Sequence, residues 1–249
     1  MMKTKNIILL LVCFSVLSCS KETGDETGIF TEFRIKRKLF YDNIVDTIPR
    51  KILEYQYNNQ KELEKIYHYL GNDLTKYNIY ESFVYNIDSK PFKKLTYHYA
   101  NDSLGWLLTD STEYRYQDKK LSYEITHYLG TSDDTIAYKY LYEKSNIIEK
   151  RKYYNQEFEN LTKYEYSEDL CTKESIFTDS IGLNLIEYII HSYSNRILSK
   201  SENFLNNNSK IQIISYTYNN EGHLIIEQSE QTDFTITKPL DYVIRYEYY

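Results

Sequence analysis

Three histidines occupy the same place in successive stretches of the chain, in Tyr67-His68-Tyr69, Tyr97-His98-Tyr99 and Thr126-His127-Tyr128. Imidazoles repeated in this way suit a metal ladder or a pH-sensing row. Distance argues against it. On equivalent strands of neighbouring hairpins they stand about 9.5 Å apart, whereas the nitrogen ligands of one zinc lie about 2.0–2.1 Å from it. The expectation is a polar position inherited by repetition, with no metal and no cofactor. Cys171 is a candidate nucleophile, but an isolated cysteine is expected to serve as a small buried hydrophobe. Serine catalysis lacks its frame, since neither Gly-x-Ser-x-Gly nor Ser-x-x-Lys occurs. Asp133 and Asp134 fall between repeats without EF-hand spacing, and no phosphate-cradling glycine motif exists. These residues predict no catalytic centre, and therefore no enzyme. Trp106, beside Gly105 in a predicted loop, is the best candidate for ligand contact, because its flat face suits a glycan or a protein partner.

The elements that must position these residues come from a repeat. Aromatic pairs spaced by one residue recur as Tyr55/Tyr57, Phe83/Tyr85, Tyr114/Tyr116, Tyr140/Tyr142, Tyr164/Tyr166, His191/Tyr193, Tyr216/Tyr218 and Tyr246/Tyr248, at intervals of 24–31 residues. A polar break follows each of the first seven, and then Leu63, Phe92, Leu121, Ile147, Leu170, Ile197 or Leu224 opens a new alternating run. Alternation, break and renewed alternation predict one β-hairpin per repeat. Asn, Asp, Lys and Gly in the breaks tolerate the left-handed backbone of tight turns. His68-Tyr69-Leu70-Gly71 returns as His127-Tyr128-Leu129-Gly130, two repeats later. Phe33, Ile35, Leu39 and Tyr41 alternate as one further opening strand. The predicted fold is all-β: an antiparallel sheet of about eight consecutive β-hairpin repeats. Some sixteen strands cannot stay flat, so the sheet should twist strongly, curl or close into a barrel.

Composition narrows the function classes. The 249 residues hold 29 Tyr but only seven Gly and three Pro. Tyrosine suits half-exposed strands, with its apolar body and polar tip. The formal charge is −6, and becomes −8 once Lys3 and Lys5 are removed with a leader. An acidic chain without a basic cluster predicts no nucleic-acid partner. An outer-membrane-embedded barrel is disfavoured, since the C-terminal strand interrupts one face with Glu247 and Arg245.

The N-terminus predicts location. Lys3 and Lys5 precede the apolar run Ile7–Leu17, which is short for a membrane-spanning helix. Val16-Leu17-Ser18-Cys19 resembles the lipobox of bacterial lipoproteins, in which the cysteine carries the lipid. Residues 1–18 are thus expected to be a lipoprotein signal peptide, 19–28 a flexible tether, and 29–249 the hairpin-repeat domain. Ser20-Lys21-Glu22 with acids soon after resembles the tether that directs Bacteroidota lipoproteins to the cell surface. The expected location is the outer membrane, anchored by lipid on Cys19 and facing the exterior.

Tyr216-Thr217-Tyr218-Asn219-Asn220-Glu221-Gly222-His223-Leu224 resembles the YD repeat of RHS-type proteins, Tyr-x-Tyr-Asp-x-x-Gly-x-Leu, with Asn219 in place of the family's Asp. Only this copy keeps the glycine. Together with the lipobox, the hairpins are similar to uncharacterised Bacteroidota surface lipoproteins, some with a porin-like curled sheet. The resemblance implies architecture and no activity. The function expected is a lipid-anchored binding or structural module, with a glycan-binding accessory lipoprotein of an outer-membrane nutrient-uptake system as the alternative.

Overall fold

The computed structural model describes residues 34–71, 73–129, 134–232 and 241–249. The expected signal peptide (1–18) and tether (19–28), with Cys19, and also Phe33 and Asp133, lie outside them. The described chain contains sixteen strands: β1 (Ile35–Tyr41), β2 (Lys51–Tyr57), β3 (Leu63–Leu70), β4 (Ile79–Tyr85), β5 (Pro91–Asn101), β6 (Gly105–Gln117), β7 (Lys120–Tyr128), β8 (Thr135–Glu143), β9 (Asn146–Tyr154), β10 (Glu157–Ser167), β11 (Leu170–Phe177), β12 (Leu185–Ser194), β13 (Ile197–Leu205), β14 (Lys210–Tyr218), β15 (Leu224–Gln231) and β16 (Tyr242–Tyr248). Each pairs antiparallel with its sequence neighbours, and β1 pairs with β16 to close a barrel. The hairpin repeats are as the aromatic pairs predict, and the sheet closes.

Each aromatic pair ends an even-numbered strand and faces inward. Its second member pairs with an apolar residue five or six positions on, as in Tyr57 with Leu63, Tyr116 with Leu121, Tyr142 with Ile147 and Tyr218 with Leu224. In three repeats the partner is one residue away from the expected one. Pro91, Cys171 and Leu198 face Tyr85, Tyr166 and Tyr193, in place of Phe92, Leu170 and Ile197. Phe92 and Ile197 are exposed instead. Phe92 is the extra residue of a β-bulge, which puts two residues opposite one, whereas Leu170 and Ile197 pair with Ser167 and Ser194 beside the turn. In each case the neighbouring residue takes the inward place.

That bulge recurs just before the second aromatic in all seven of these hairpins. The seven bulges line one rim, where their added twist helps the sheet to curve. The extra residue is Ser122, Thr172 or Ser199 in three of them, and its hydroxyl donates to the opposing carbonyl of Arg115, Glu165 or Ser192. Four of these hairpins turn through two residues, and in two of them φ is positive at both centres, Asp118 (50°) with Lys119 (64°) and Asn195 (51°) with Arg196 (66°). This backbone twists in the sense that hairpin strands require.

The second tyrosine of each pair has a repeated job. Tyr57, Tyr85, Tyr116, Tyr166, Tyr193 and Tyr248 donate their hydroxyls to the backbone carbonyls of Ile35, Leu63, Pro91, Ile147, Cys171 and Leu224, at 2.7–3.2 Å. Every bond ties an even-numbered strand to the strand that precedes it in the chain. Burial, followed by the charge of Glu62, pushes the Tyr85 hydroxyl up to about 12. Tyr166→Phe removes one tie and leaves the Ile147 carbonyl without it. The expected loss is about 0.5–1.5 kcal/mol, read as a lower urea midpoint with unchanged slope. An unchanged midpoint would reduce the ladder to incidental contacts.

The barrel is wide. Sixteen strands about 4.8 Å apart and tilted near 40° enclose a circular cylinder roughly 30 Å across at the backbone. Among the described residues, no strand comes within 8 Å Cα–Cα of any strand except its two ladder neighbours. The apolar packing is correspondingly local. One cluster joins Leu224, Ile244 and Tyr246 with Ile35, Phe40 and Tyr216 across the closing seam.

Two loops cover parts of the outer face. The β11–β12 connection lies over Leu161, which is fully buried although it points outward. Asp179 holds that connection by accepting from the backbone N–H groups of Ile181, Gly182, Leu183 and Asn184, and these bonds keep its carboxyl below the usual range. Gly182 adopts φ +80°, and a Cβ there would meet Lys163 Nζ at 2.5 Å. The β1–β2 connection likewise lies at the seam, where Arg245 donates to the Ile44 carbonyl at 2.9 Å.

Candidate functional site

The inner wall is polar, which alternation alone does not require. Glu81, Glu124, Glu174, Glu187 and Glu227 face inward, as do Lys38, Lys51, Lys94 and Lys150, among the aromatic pairs. Glu227, 3% exposed, accepts from the hydroxyls of Tyr242 (2.8 Å) and Tyr246 (3.2 Å). Glu124 accepts from Tyr140 at 3.2 Å. Burial, then the nearby carboxylate, drives the hydroxyls of Tyr114, Tyr140 and Tyr246 far above their ordinary value. These tyrosines are fixed donors at any physiological pH.

Glu81 illustrates how inner charges are matched. Burial alone would raise its carboxyl, but the hydrogen bond from His68 (3.0 Å) and the charge of Lys94 (3.3 Å) outweigh this and hold it below the usual range. Glu187 is different, because burial and the charge of Glu174 both raise its carboxyl. A raised folded-state value means that the fold prefers the protonated acid, so Glu187 opposes folding above that value and ceases to do so as the pH falls through it. Glu187→Gln is therefore expected to raise the melting temperature at neutral pH, with the difference shrinking in acid. Equal melting temperatures at neutral pH would refute this account.

The outer wall carries ion pairs on β1–β2 and on β9–β13. Arg37–Glu54 (3.3 Å), Arg151–Glu149 (3.0 Å), Lys173–Glu165 (3.1 Å) and Lys200–Glu202 (3.0 Å) lie on outward positions. A Lys or Arg on the lipid face costs about 2–4 kcal/mol at the bilayer midplane. Repeated on these strands, that cost opposes a lipid-embedded wall.

The exception on this surface is aromatic. Trp106 lies at the start of β6, paired with Tyr99, and points outward. Tyr77, from the β3–β4 connection, stacks on its ring at 5.2 Å and 21°. Tyr80 meets it edge-on at 4.9 Å and Tyr99 at 5.3 Å. Tyr80 in turn stacks on Tyr97 at 4.7 Å, and Tyr67 and Tyr69 pack on Tyr77. Tyr77 and Tyr99 are 38% and 41% exposed, which leaves their faces open to a ligand. The Tyr99 hydroxyl bonds Asp102, and Asn101 caps the adjoining β5–β6 turn through Ser103 and Leu104. Tyr77 escaped the sequence reading because it belongs to no aromatic pair. Only the fold of its connection brings it to Trp106.

The three repeated histidines do not converge. His68 and His98 both flank Ile79 from opposite sides, two strand spacings apart, while His127 pairs with Ser111 on the outer face. Bulges in β5–β6 account for the change of face. Cys171 is buried as expected, but in a polar setting. Its sulfur, a Glu174 oxygen and a His191 nitrogen lie within 4.8 Å of one another. Nothing in the linear spacing announces this cluster.

Comparison with known proteins adds little beyond the fold. No family model and no curated protein matches the chain. Among solved structures, a porin-like protein from Bacteroides uniformis ATCC 8492 aligns over 86% of this chain and 96% of its own, with 9% identity and a TM-score of 0.48. A protein of unknown function from Bacteroides fragilis NCTC 9343 aligns over 62% of this chain and 91% of its own, with 17% identity and a TM-score of 0.19. Likeness at these scores assigns no activity or ligand to this chain.

Proposed function

We propose that the chain is a lipid-anchored envelope barrel that binds a glycan on its outer aromatic cluster. The observation that carries this reading is the packing of Tyr77, Tyr80 and Tyr99 around Trp106. Sugar rings present C–H faces that stack on aromatic rings, while tyrosine hydroxyls and the neighbouring Asn101 and Asp102 offer hydrogen bonds at the rim.

The placement of the cluster supports the anchored arrangement. Arg34 and Tyr249 lie together at the tight-turn rim, where the Tyr249 N–H donates to the Arg34 carbonyl at 3.1 Å. Trp106 follows the β5–β6 turn at the opposite rim. A lipid on Cys19 would connect to the barrel at the tight-turn rim, the rim opposite the cluster. That arrangement suits an accessory lipoprotein that captures glycan for an uptake system.

The test is a polysaccharide array with the full-length protein, followed by affinity measurement on any hit. Trp106→Ala should weaken binding at least about tenfold, as central interface aromatics do, and Tyr99→Ala should weaken it without removing the hub of the cluster. A wild-type protein that binds no glycan, or binds equally after both changes, would end this reading. The anchor is tested separately by Cys19→Ala and protease shaving of intact cells. Wild-type protein should carry lipid and be digested, and the variant should carry none.

A further inference from the structure

The repeats make their own exceptions visible. At the first position of the aromatic pair, seven of the eight copies have Tyr or Phe, and one has His191. At the inward position after the turn, the residues are Leu63, Pro91, Leu121, Ile147, Cys171, Leu198 and Leu224, so one copy has a thiol in place of an apolar group. These two departures are twenty residues apart in the chain, yet they meet on adjacent strands beside the carboxylate of Glu174.

A bulge makes the meeting possible. In a regular strand, residues three apart point to opposite faces. Cys171 and Glu174 would then be divided between lumen and solvent. The extra residue Thr172 resets the phase, so Cys171 faces Tyr166 and Glu174 faces Tyr164 on the same inner side of β10. His191 reaches them from β12. Its Nε2 lies 3.1 Å from Glu174 Oε1, and its Nδ1 lies 2.8 Å from Ser201 Oγ on β13.

We propose that Cys171, Glu174 and His191 form a three-ligand site for a divalent transition metal, Zn2+ above all, in the inner wall of the barrel. Thiolate, imidazole and carboxylate together match the borderline-soft preference of zinc. Ligand atoms around a tetrahedral zinc are about 3.3–3.6 Å apart, from metal–ligand distances near 2.0–2.3 Å. The His191–Glu174 separation is already close to that range. With all three atoms inside 4.8 Å, side-chain adjustment of about 1 Å brings in the sulfur. Ser201, 2% exposed, holds the far nitrogen of the ring and so orients Nε2 toward the site. Three protein ligands leave the fourth position for water or for a ligand entering from the lumen.

The repeat supplies conservative variants for the test. His191→Tyr and Cys171→Leu restore residue types that the other copies carry at these positions, so folding should be retained, as circular dichroism would verify. The full-length protein is titrated with Co2+ alone and with Zn2+ alone. Wild type should take up one equivalent of Co2+ with a thiolate-to-cobalt charge-transfer band, which Zn2+ displaces. Cys171→Leu should abolish the band, His191→Tyr should remove stoichiometric binding, and Ser201→Ala should weaken affinity about 10–100-fold. No stoichiometric uptake by wild type, or uptake unchanged in both His191→Tyr and Cys171→Leu, would overturn the proposal. These readouts are independent of glycan binding.

Discussion

Deleting residues 242–249, and with them β16, is expected to abolish the fold of all sixteen strands and not only of the last repeat. In an open repeat sheet, a terminal unit contacts one neighbour and its loss is local. Here β16 pairs with both β15 and β1. Its removal uncovers two strand edges and exposes Leu224, Ile35 and Phe40, which pack against the deleted Ile244 and Tyr246. Burying Val243, Ile244 and Tyr246 contributes about 1.5–3 kcal/mol each, a sum comparable with the roughly 5–15 kcal/mol stability of a whole domain. The truncated chain should lack a cooperative thermal transition and elute as aggregate, since unpaired edges template association. A monomeric product with a cooperative transition and nearly full β-signal would show that the seam is dispensable.

Glu227→Ala is the point substitution with the largest expected effect. The carboxylate is almost fully buried and is the acceptor for Tyr242 and Tyr246, both on the closing strand. Alanine leaves the buried Tyr246 hydroxyl and the half-buried Tyr242 hydroxyl without that acceptor, at up to about 1–3 kcal/mol for each group. Relief from burying a charge offsets part of this, so the net loss should be about 2–4 kcal/mol in urea denaturation. Glu227→Gln keeps an acceptor of the same shape and should lose less than half as much. If Glu227→Ala unfolded within about 0.5 kcal/mol of wild type, the polar inner wall would be a solvated lining with no role in closure.

Much of this architecture is legible in the residues. Period-two alternation in segments such as Tyr138, Tyr140 and Tyr142 can bury one face only as a strand, and the polar breaks can only be turns. The eight aromatic pairs therefore located the even strands, and their partners located the turns. Register was less legible. Phe92, Leu170 and Ile197 look like the inward residues because they are apolar, but the strand pairing gives those places to Pro91, Cys171 and Leu198. A one-residue shift exchanges the faces of a strand, and whether it occurs depends on backbone pairing with the opposite strand. Trp106 stood out by its rarity, whereas Tyr77, which stacks on it, did not.

By itself, then, the sequence determined the strands, their hairpin order and the aromatic face, because these follow from interactions within about thirty residues along the chain. Closure was decided by tertiary structure alone. It joins Arg34 to Tyr249 and β1 to β16 across nearly the whole chain, and no local pattern specifies whether accumulated twist and bulges bring two distant edges into register. The same holds for the thiol, carboxylate and imidazole of Cys171, Glu174 and His191. Their meeting depends on a bulge that turns two side chains to one face, and on the strand that lies beside them.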